Sequence, residues 1–174
     1  MIKRVYVVIF TILAASAFAQ TAPSSRLGDL KPFAGSWRCT GKAFKTQWGP
    51  EHPTIATIHV TWVLNSFWLH ANYAEQKTKS NPHPAAGHVY WGYDEKLKKL
   101  AGYAVNNFGG RVAVESDGWN GDTIVWSGEM SAGGTSFPTR DTFVRRNKST
   151  IEHKSEAQVG GNWIELDTES CRKQ

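Results

Sequence analysis

The chain lacks the segments that announce a familiar chemistry. A nucleophile elbow, a zinc-protease helix, a phosphate-binding loop and a dinucleotide glycine fingerprint are all missing, so no motif nominates a catalytic residue. Cysteine is limited to two residues, which leaves at most one intramolecular disulfide. No long apolar stripe of 3.6 periodicity occurs, so helix content is expected to be low. Internal repeats and low-complexity tracts are also missing, which argues against a solenoid or a fibrous chain. No basic block stands out: Arg145-Arg146 and Lys96, Lys98 and Lys99 sit beside acidic neighbours, and this pattern argues against a nucleic-acid partner.

One apolar run stands near the start. Lys3 and Arg4 precede Val5 to Ala15, and the small-residue triplet Ala17-Phe18-Ala19 follows, the pattern of a secretory leader cleaved before Gln20. The run falls short of the roughly 20 residues that span a bilayer, and no second one follows, so no membrane anchor is expected. No cysteine follows the cleavage position, so lipidation has no acceptor there. Residues 1–19 thus read as a signal peptide, residues 20–29 as a flexible Thr-, Pro- and Ser-bearing lead-in, and residues 30–174 as one domain. Losing Lys3 and Arg4 lowers the net charge of +5 by two, to +3. The expected location is periplasmic or extracellular.

What the sequence does contain is strands. From Ser36 onward, short runs rich in Val, Ile, Thr, Trp, Tyr and Phe alternate with clusters of Gly, Asn, Asp or Pro. Ten runs are counted, near 36–45, 54–64, 67–77, 87–93, 99–106, 111–119, 123–130, 136–146, 150–159 and 163–172; merged boundaries would give eight. Asn120-Gly121 reads as a type I′ hairpin turn, and Phe108-Gly109-Gly110 and Gly160-Gly161-Asn162 read as two more. Leu27 to Phe33 admits a short helical turn ahead of the first strand. Alternation assigns Ala56, Ile58, Val60, Trp62 and Leu64 to an inward face, and it turns His153 toward the interior.

Sequential strands leave two open edges unless the sheet closes. The expected fold is therefore all-β, a closed antiparallel up-and-down barrel of about ten strands with little helix, a calycin-like or lipocalin-like architecture; a two-sheet sandwich is the alternative.

Three motifs then point to a family: Leu30-Lys-Pro-Phe-Ala-Gly35-Ser-Trp37, Trp62-Val-Leu-Asn-Ser-Phe-Trp-Leu69 and Trp91-Gly-Tyr-Asp94. Over about residues 27–172 the chain resembles domain-of-unknown-function family 1579, a resemblance that implies a calycin-like barrel and carries no general activity. Gly35-Ser-Trp37 also resembles the Gly-x-Trp of lipocalins, in which the tryptophan closes one barrel end beneath a basic side chain of the last strand. Arg172 or Lys173 would fill that role here.

Barrel closure places the first strand beside the last, and with it Cys39 beside Cys171, so a disulfide follows; two unpaired buried thiols are the alternative. If the cysteines face each other, positions summing to 210 pair, and Lys173 lies opposite Trp37. Alternation meanwhile assigns Glu165, Asp167, Glu169 and Cys171 to an outward face. That parity conflicts with inward Trp37 and Cys39, and a β-bulge in the last strand would reconcile the two.

Three functional classes remain open. The first is an exported module binding a small apolar or aromatic molecule, with Trp37, Trp62, Trp68, His153 and Arg140 as ligand-binding candidates. Within it, the nitrobindin-like relatives of the architecture raise haem as a cofactor, with His153 as proximal ligand. The second is a small barrel hydrolase or isomerase whose polar groups converge only in three dimensions, with His70, His153 or Arg140 as candidates. The third is an interaction role, marked by an exposed apolar patch. His52, His83 and His88 match no metal-ligand spacing, and Asp94, Asp141 and Glu115 form no recognisable pair. Asn147-Lys-Ser149 is a glycosylation sequon, relevant in a host that glycosylates exported proteins.

Overall fold

The computed structural model describes residues 22–174; the leader expected over 1–19 lies outside them. Strand-forming runs separated by glycine-bearing turns give eleven strands: β1 (Gly35–Ala43), β2 (His52–Val63), β3 (Trp68–Glu75), β4 (Ala86–Asp94), β5 (Lys99–Asn106), β6 (Arg111–Ser116), β7 (Trp119–Asn120), β8 (Thr123–Ala132), β9 (Thr135–Asn147), β10 (Thr150–Val159) and β11 (Asn162–Lys173). Chain neighbours pair antiparallel except β6 and β7, β11 returns to β1, and β6 pairs with β8, so ten strands close into a barrel. The two-residue β7 is appended to β8 outside the ring.

The sixth expected run, 111–119, is split where Gly118 adopts φ 96°. The hairpin there turns on Gly121-Asp122, one residue later than expected. Asn120 pairs with Thr123, and Gly121 has φ 60° while Asp122 does not enter the left-handed region, which is the type II′ pattern. Gly160 and Gly161 both have positive φ between paired Val159 and Asn162, as a type I′ turn requires. Leu64 is a second correction: it lies beyond β2 in a turn, with φ 50° and 69% exposure, whereas Ala56 and Val60 are buried inward as read.

The two ends of the barrel differ. At one end a 3₁₀ helix, Ser25–Phe33, plugs the opening with buried Leu27, Leu30 and Phe33, so the expected flexible lead-in over 20–29 is helical in its second half. Phe33 stacks on Trp91 and Trp119 and meets Phe143 edge-on, at centroid distances of 5.4, 5.6 and 5.2 Å. Trp37 seals this end: its Nε1 donates to the Phe33 carbonyl at 2.7 Å, and Lys173 Nζ lies 5.3 Å above its ring. Of the two basic residues considered, Lys173 is the partner. At the opposite end the loops 44–51, 76–85 and 107–110 form the rim of an open mouth.

The β1–β11 seam has the register expected from the cysteines, Trp37 opposite Lys173 and Cys39 opposite Cys171, and a disulfide joins the last pair. Close backbone approach at two seams depends on glycine. A Cβ at Gly41 would collide with the Thr168 carbonyl oxygen across β1–β11, and one at Gly128 would collide with the Ala113 carbonyl oxygen across β6–β8.

Candidate functional site

The parity conflict in the last strand resolves in favour of the register. Because Cys171 faces Cys39, Glu169 and Asp167 share its inward side, and the expected outward face for these acids is corrected. A bulge does occur, since Ser155 pairs with Asp167 while Glu156 pairs with Glu165, leaving Leu166 as the extra residue. It lies at the mouth end of β11, before the acids, so it does not turn them out.

These acids meet an interior histidine. His153, whose side chain is 17% exposed, faces Asp141 with Nε2 at 3.2 Å and Asp167 with Nδ1 at 3.3 Å. Its ring stacks on Phe143, its cross-strand partner, at 4.5 Å. Burial alone would lower the imidazole pKa, but the hydrogen bonds and charges of the two carboxylates overcome it and push the value up to about 10. His153 is therefore an imidazolium at neutral pH.

Beside it, the Tyr73 hydroxyl donates to Glu169 Oε1 at 3.1 Å and lies 3.4 Å from Glu75 Oε1. Burial, then the nearby carboxylates, raise the phenol pKa far above its ordinary value, so Tyr73 stays a neutral donor. Burial first, and Asp167 second, hold the Glu169 pKa above the usual carboxylate range, with His153 and Tyr73 opposing. Glu75 is fixed from the mouth side by Asn81 Nδ2 at 2.8 Å and the Ala85 backbone N–H at 2.7 Å, both donating to Oε2.

Two cavities meet at this cluster, and Tyr73, His153, Leu166 and Glu169 line both. The inner one, about 250 Å³, lies in the lumen among Ile58, Val89, Trp91, Val114, Trp126 and Phe143. The outer one, about 480 Å³, lies at the mouth and is bounded by Trp48, His52, Asn81, His83 and Phe108. Trp126 is 1% exposed, and its Nε1 makes no hydrogen bond, so the lumen wall carries an unsatisfied donor.

The sequence-selected residues scatter relative to this cluster. Among them His153 lines the cavities, and Asp141 joins it. Trp37 belongs to the plugged end, Trp62 packs against the core beyond both cavities, and Trp68 lies on the outer wall over Gly92 and Tyr103. Arg140 also faces outward, paired with Glu156 at 2.6 Å and stacked on Trp163 at 4.5 Å, because its neighbours Thr139 and Asp141 take the inward positions. His70 is on the outer wall, its Nε2 3.0 Å from His88 Nδ1; partial burial, then His88, lower its pKa. His52 and His83 edge the mouth, Asp94 accepts from the backbone of Lys96 and Leu97 in a turn, and Glu115 is exposed on β6. Tyr73, Glu75 and Glu169 were missed. The available signal was parity with Cys171, which places Glu169 inside as soon as the disulfide is accepted.

The residues present do not fit haem. Both nitrogens of His153 face carboxylates, and a protonated imidazole offers no lone pair to iron.

Comparison with known proteins agrees with the architecture. The crystal structure of Rv2717c from M. tuberculosis matches with a TM-score of 0.67 and 11% identity, covering 87% of this chain and 99% of that chain, a likeness of fold. No curated protein matches. A family model described as "Protein of unknown function (DUF1579)" matches residues 23–173, almost the whole of the described barrel and its helical plug. On that match the chain belongs to the DUF1579 family.

Proposed function

We propose that this protein is an exported binding module that holds one small, largely apolar molecule in the barrel lumen, its polar end directed at the Tyr73–Glu169–His153 cluster. The observation that carries the reading is the inner cavity of about 250 Å³, walled by aromatic and branched side chains and ending in a few convergent polar groups. The unsatisfied Trp126 Nε1 supports it, because a buried donor without a partner is costly unless something else accepts from it. Export is supported by the leader pattern in the sequence and by the disulfide, which persists in oxidising compartments. Among the described residues no helix is long and apolar enough to cross a membrane.

The test is calorimetric titration with indole, a flat apolar probe of lumen size. One site per chain is expected, abolished by Ala71→Phe, which fills the lumen from its wall. Absence of binding, or binding unaffected by the filled lumen, contradicts the reading.

A second reading, proton transfer on the bound molecule, is favoured by the convergence of Glu169, Tyr73 and His153 at one end of the lumen. Glu169 would act as base. 5-Nitrobenzisoxazole is a suitable probe: the base takes the C3 proton as the N–O bond breaks to give a cyanophenolate. Turnover lost in Glu169→Gln supports this reading, whereas turnover no faster than acetate at equal concentration eliminates it.

A further inference from the structure

Resting on the lumen-binding reading above, we infer that the ligand carries a protonated amine, seated between Glu75 and Glu169 beside Tyr73, with its apolar body in the lumen. The charge around the cavities points to this. Neither cavity is lined by Lys or Arg among the described residues, whereas Glu75, Asp141, Asp167 and Glu169 all line one or both. The protein as a whole has the opposite sign, with a net charge of +5. The negative charge is therefore local to the site.

The one buried cation in this region is already engaged. His153 bridges Asp141 and Asp167 through its two nitrogens, and although its charge also acts on Glu169, neither Glu75 nor Glu169 has an ion-pair partner among the described residues. Their hydrogen bonds are also incomplete. Tyr73 has a single hydroxyl proton to share between Glu169 Oε1 at 3.1 Å and Glu75 Oε1 at 3.4 Å. Glu75 Oε2 is satisfied by Asn81 and the Ala85 N–H, so its Oε1, the atom that lies against the Tyr73 hydroxyl, is the under-satisfied one.

The Thr54 hydroxyl supplies an independent pointer to a ligand. It is buried, with Thr54 only 3% exposed, on the wall of the mouth cavity that Glu169 shares. It lies close enough to Glu169 to favour the carboxylate's charged form, and no group donates to its oxygen among the described residues. An ammonium offers three donors to Glu75 Oε1, Glu169 and the Thr54 hydroxyl, which are the acceptors left open. Its charge offsets that of Glu169, a carboxylate that burial otherwise penalises.

A bare metal ion fits less well. Among the described residues, the one triad of candidate ligand atoms close enough to share an ion is Cys39, Glu169 and Cys171, and both of its sulfurs are held in the disulfide. Glu75 and Asp167 do not converge with Glu169 closely enough to complete a coordination shell. A cation bearing N–H donors spans such separated carboxylates.

The experiment is calorimetric titration of the intact mature protein at pH 7 with tryptamine, with its neutral isostere 3-propylindole and with indole-3-propionate. Tryptamine is expected to bind at least about tenfold more tightly than 3-propylindole, as a charge-assisted hydrogen bond warrants, and indole-3-propionate more weakly than either. Glu169→Gln is expected to erase the preference for tryptamine while leaving 3-propylindole affinity within about twofold, and Glu75→Gln, at the mouth, to reduce it. Equal affinity for tryptamine and 3-propylindole overturns the amine while leaving the lumen reading intact. Failure of all three compounds to bind overturns both.

Discussion

The Tyr73 hydroxyl donates to Glu169 Oε1 at 3.1 Å across 96 residues of chain, joining β3 to β11 through the barrel interior. The bond ties together two groups that are costly to bury, a phenol and a carboxylate 7% exposed. A fold selected for stability alone has cheaper fillings for that space, and the first prediction follows from the excess cost.

Glu169→Gln is expected to raise the stability of the ligand-free protein at neutral pH. The folded pKa of Glu169 lies above its unfolded value, so its favourable contribution is present below the ordinary carboxylate range and is lost as pH rises through the raised folded value. Glutamine keeps an acceptor for Tyr73 without the buried charge. A gain of order 1 kcal/mol, or roughly 2–4 °C in Tm, is expected at pH 7 and none at pH 3, by differential scanning calorimetry. A lower Tm at pH 7 would show that the carboxylate is structural.

His153 has the same sign for a different reason. Its folded pKa of about 10 exceeds the unfolded 6.5, so the stabilisation is complete below pH 6.5 and drains away as pH rises through 10. Urea unfolding at pH 6, 8 and 10 is expected to show a steady decline in wild type, and a much flatter one in His153→Gln. That variant leaves Asp141 and Asp167 uncompensated and is expected to lose about 3–5 kcal/mol at pH 6. The imidazole ¹⁵N shifts of wild type are expected to remain those of an imidazolium at pH 8; a neutral ring there contradicts the Asp–His–Asp arrangement.

The disulfide between Cys39 and Cys171 clamps the seam at which the two chain ends meet. Serine at both positions is expected to cost roughly 2–5 kcal/mol, read as a lower urea midpoint. Non-reducing mass spectrometry of the mature protein is expected to find no alkylatable thiol, and two modified thiols would refute the bond.

Gly128→Ala tests the other closure. Its Cβ would strike the Ala113 carbonyl oxygen, which is rigid backbone in the β6–β8 pairing. A loss of about 1–3 kcal/mol is expected, with faster amide exchange at Val112 and Val114 than in the β1–β11 seam. Protection unchanged at β6 would mean that the seam yields without opening.

The barrel was legible because strand periodicity, turn glycines and two cysteines point the same way. The cysteines went further and set the β1–β11 register, which placed Lys173 rather than Arg172 over Trp37. The site was much less legible. Period-2 alternation divides a strand into two faces, but which face is inside is read from polarity, and Asp167 and Glu169 are polar residues pointing in. Trp68 misled in the opposite direction, an aromatic on the outer wall that covers Gly92. Glu75 and Asn81 meet across a loop, a juxtaposition that no strand pattern encodes. Of the candidates chosen for ligand contact, His153 alone lines the described cavities, and its pairing with Asp141 and Asp167 becomes visible only after closure brings β9, β10 and β11 into one wall.

The central claim is that the lumen is a binding site. Methyl-resolved NMR of the mature protein titrated with indole tests it most directly. Saturable shifts confined to Ile58, Val89, Val112, Val114 and Met130, with Ala71→Phe abolishing them, are the predicted result. Shifts confined to exposed residues such as Leu64, Leu97 and Val105, or none at all up to millimolar indole, would contradict it.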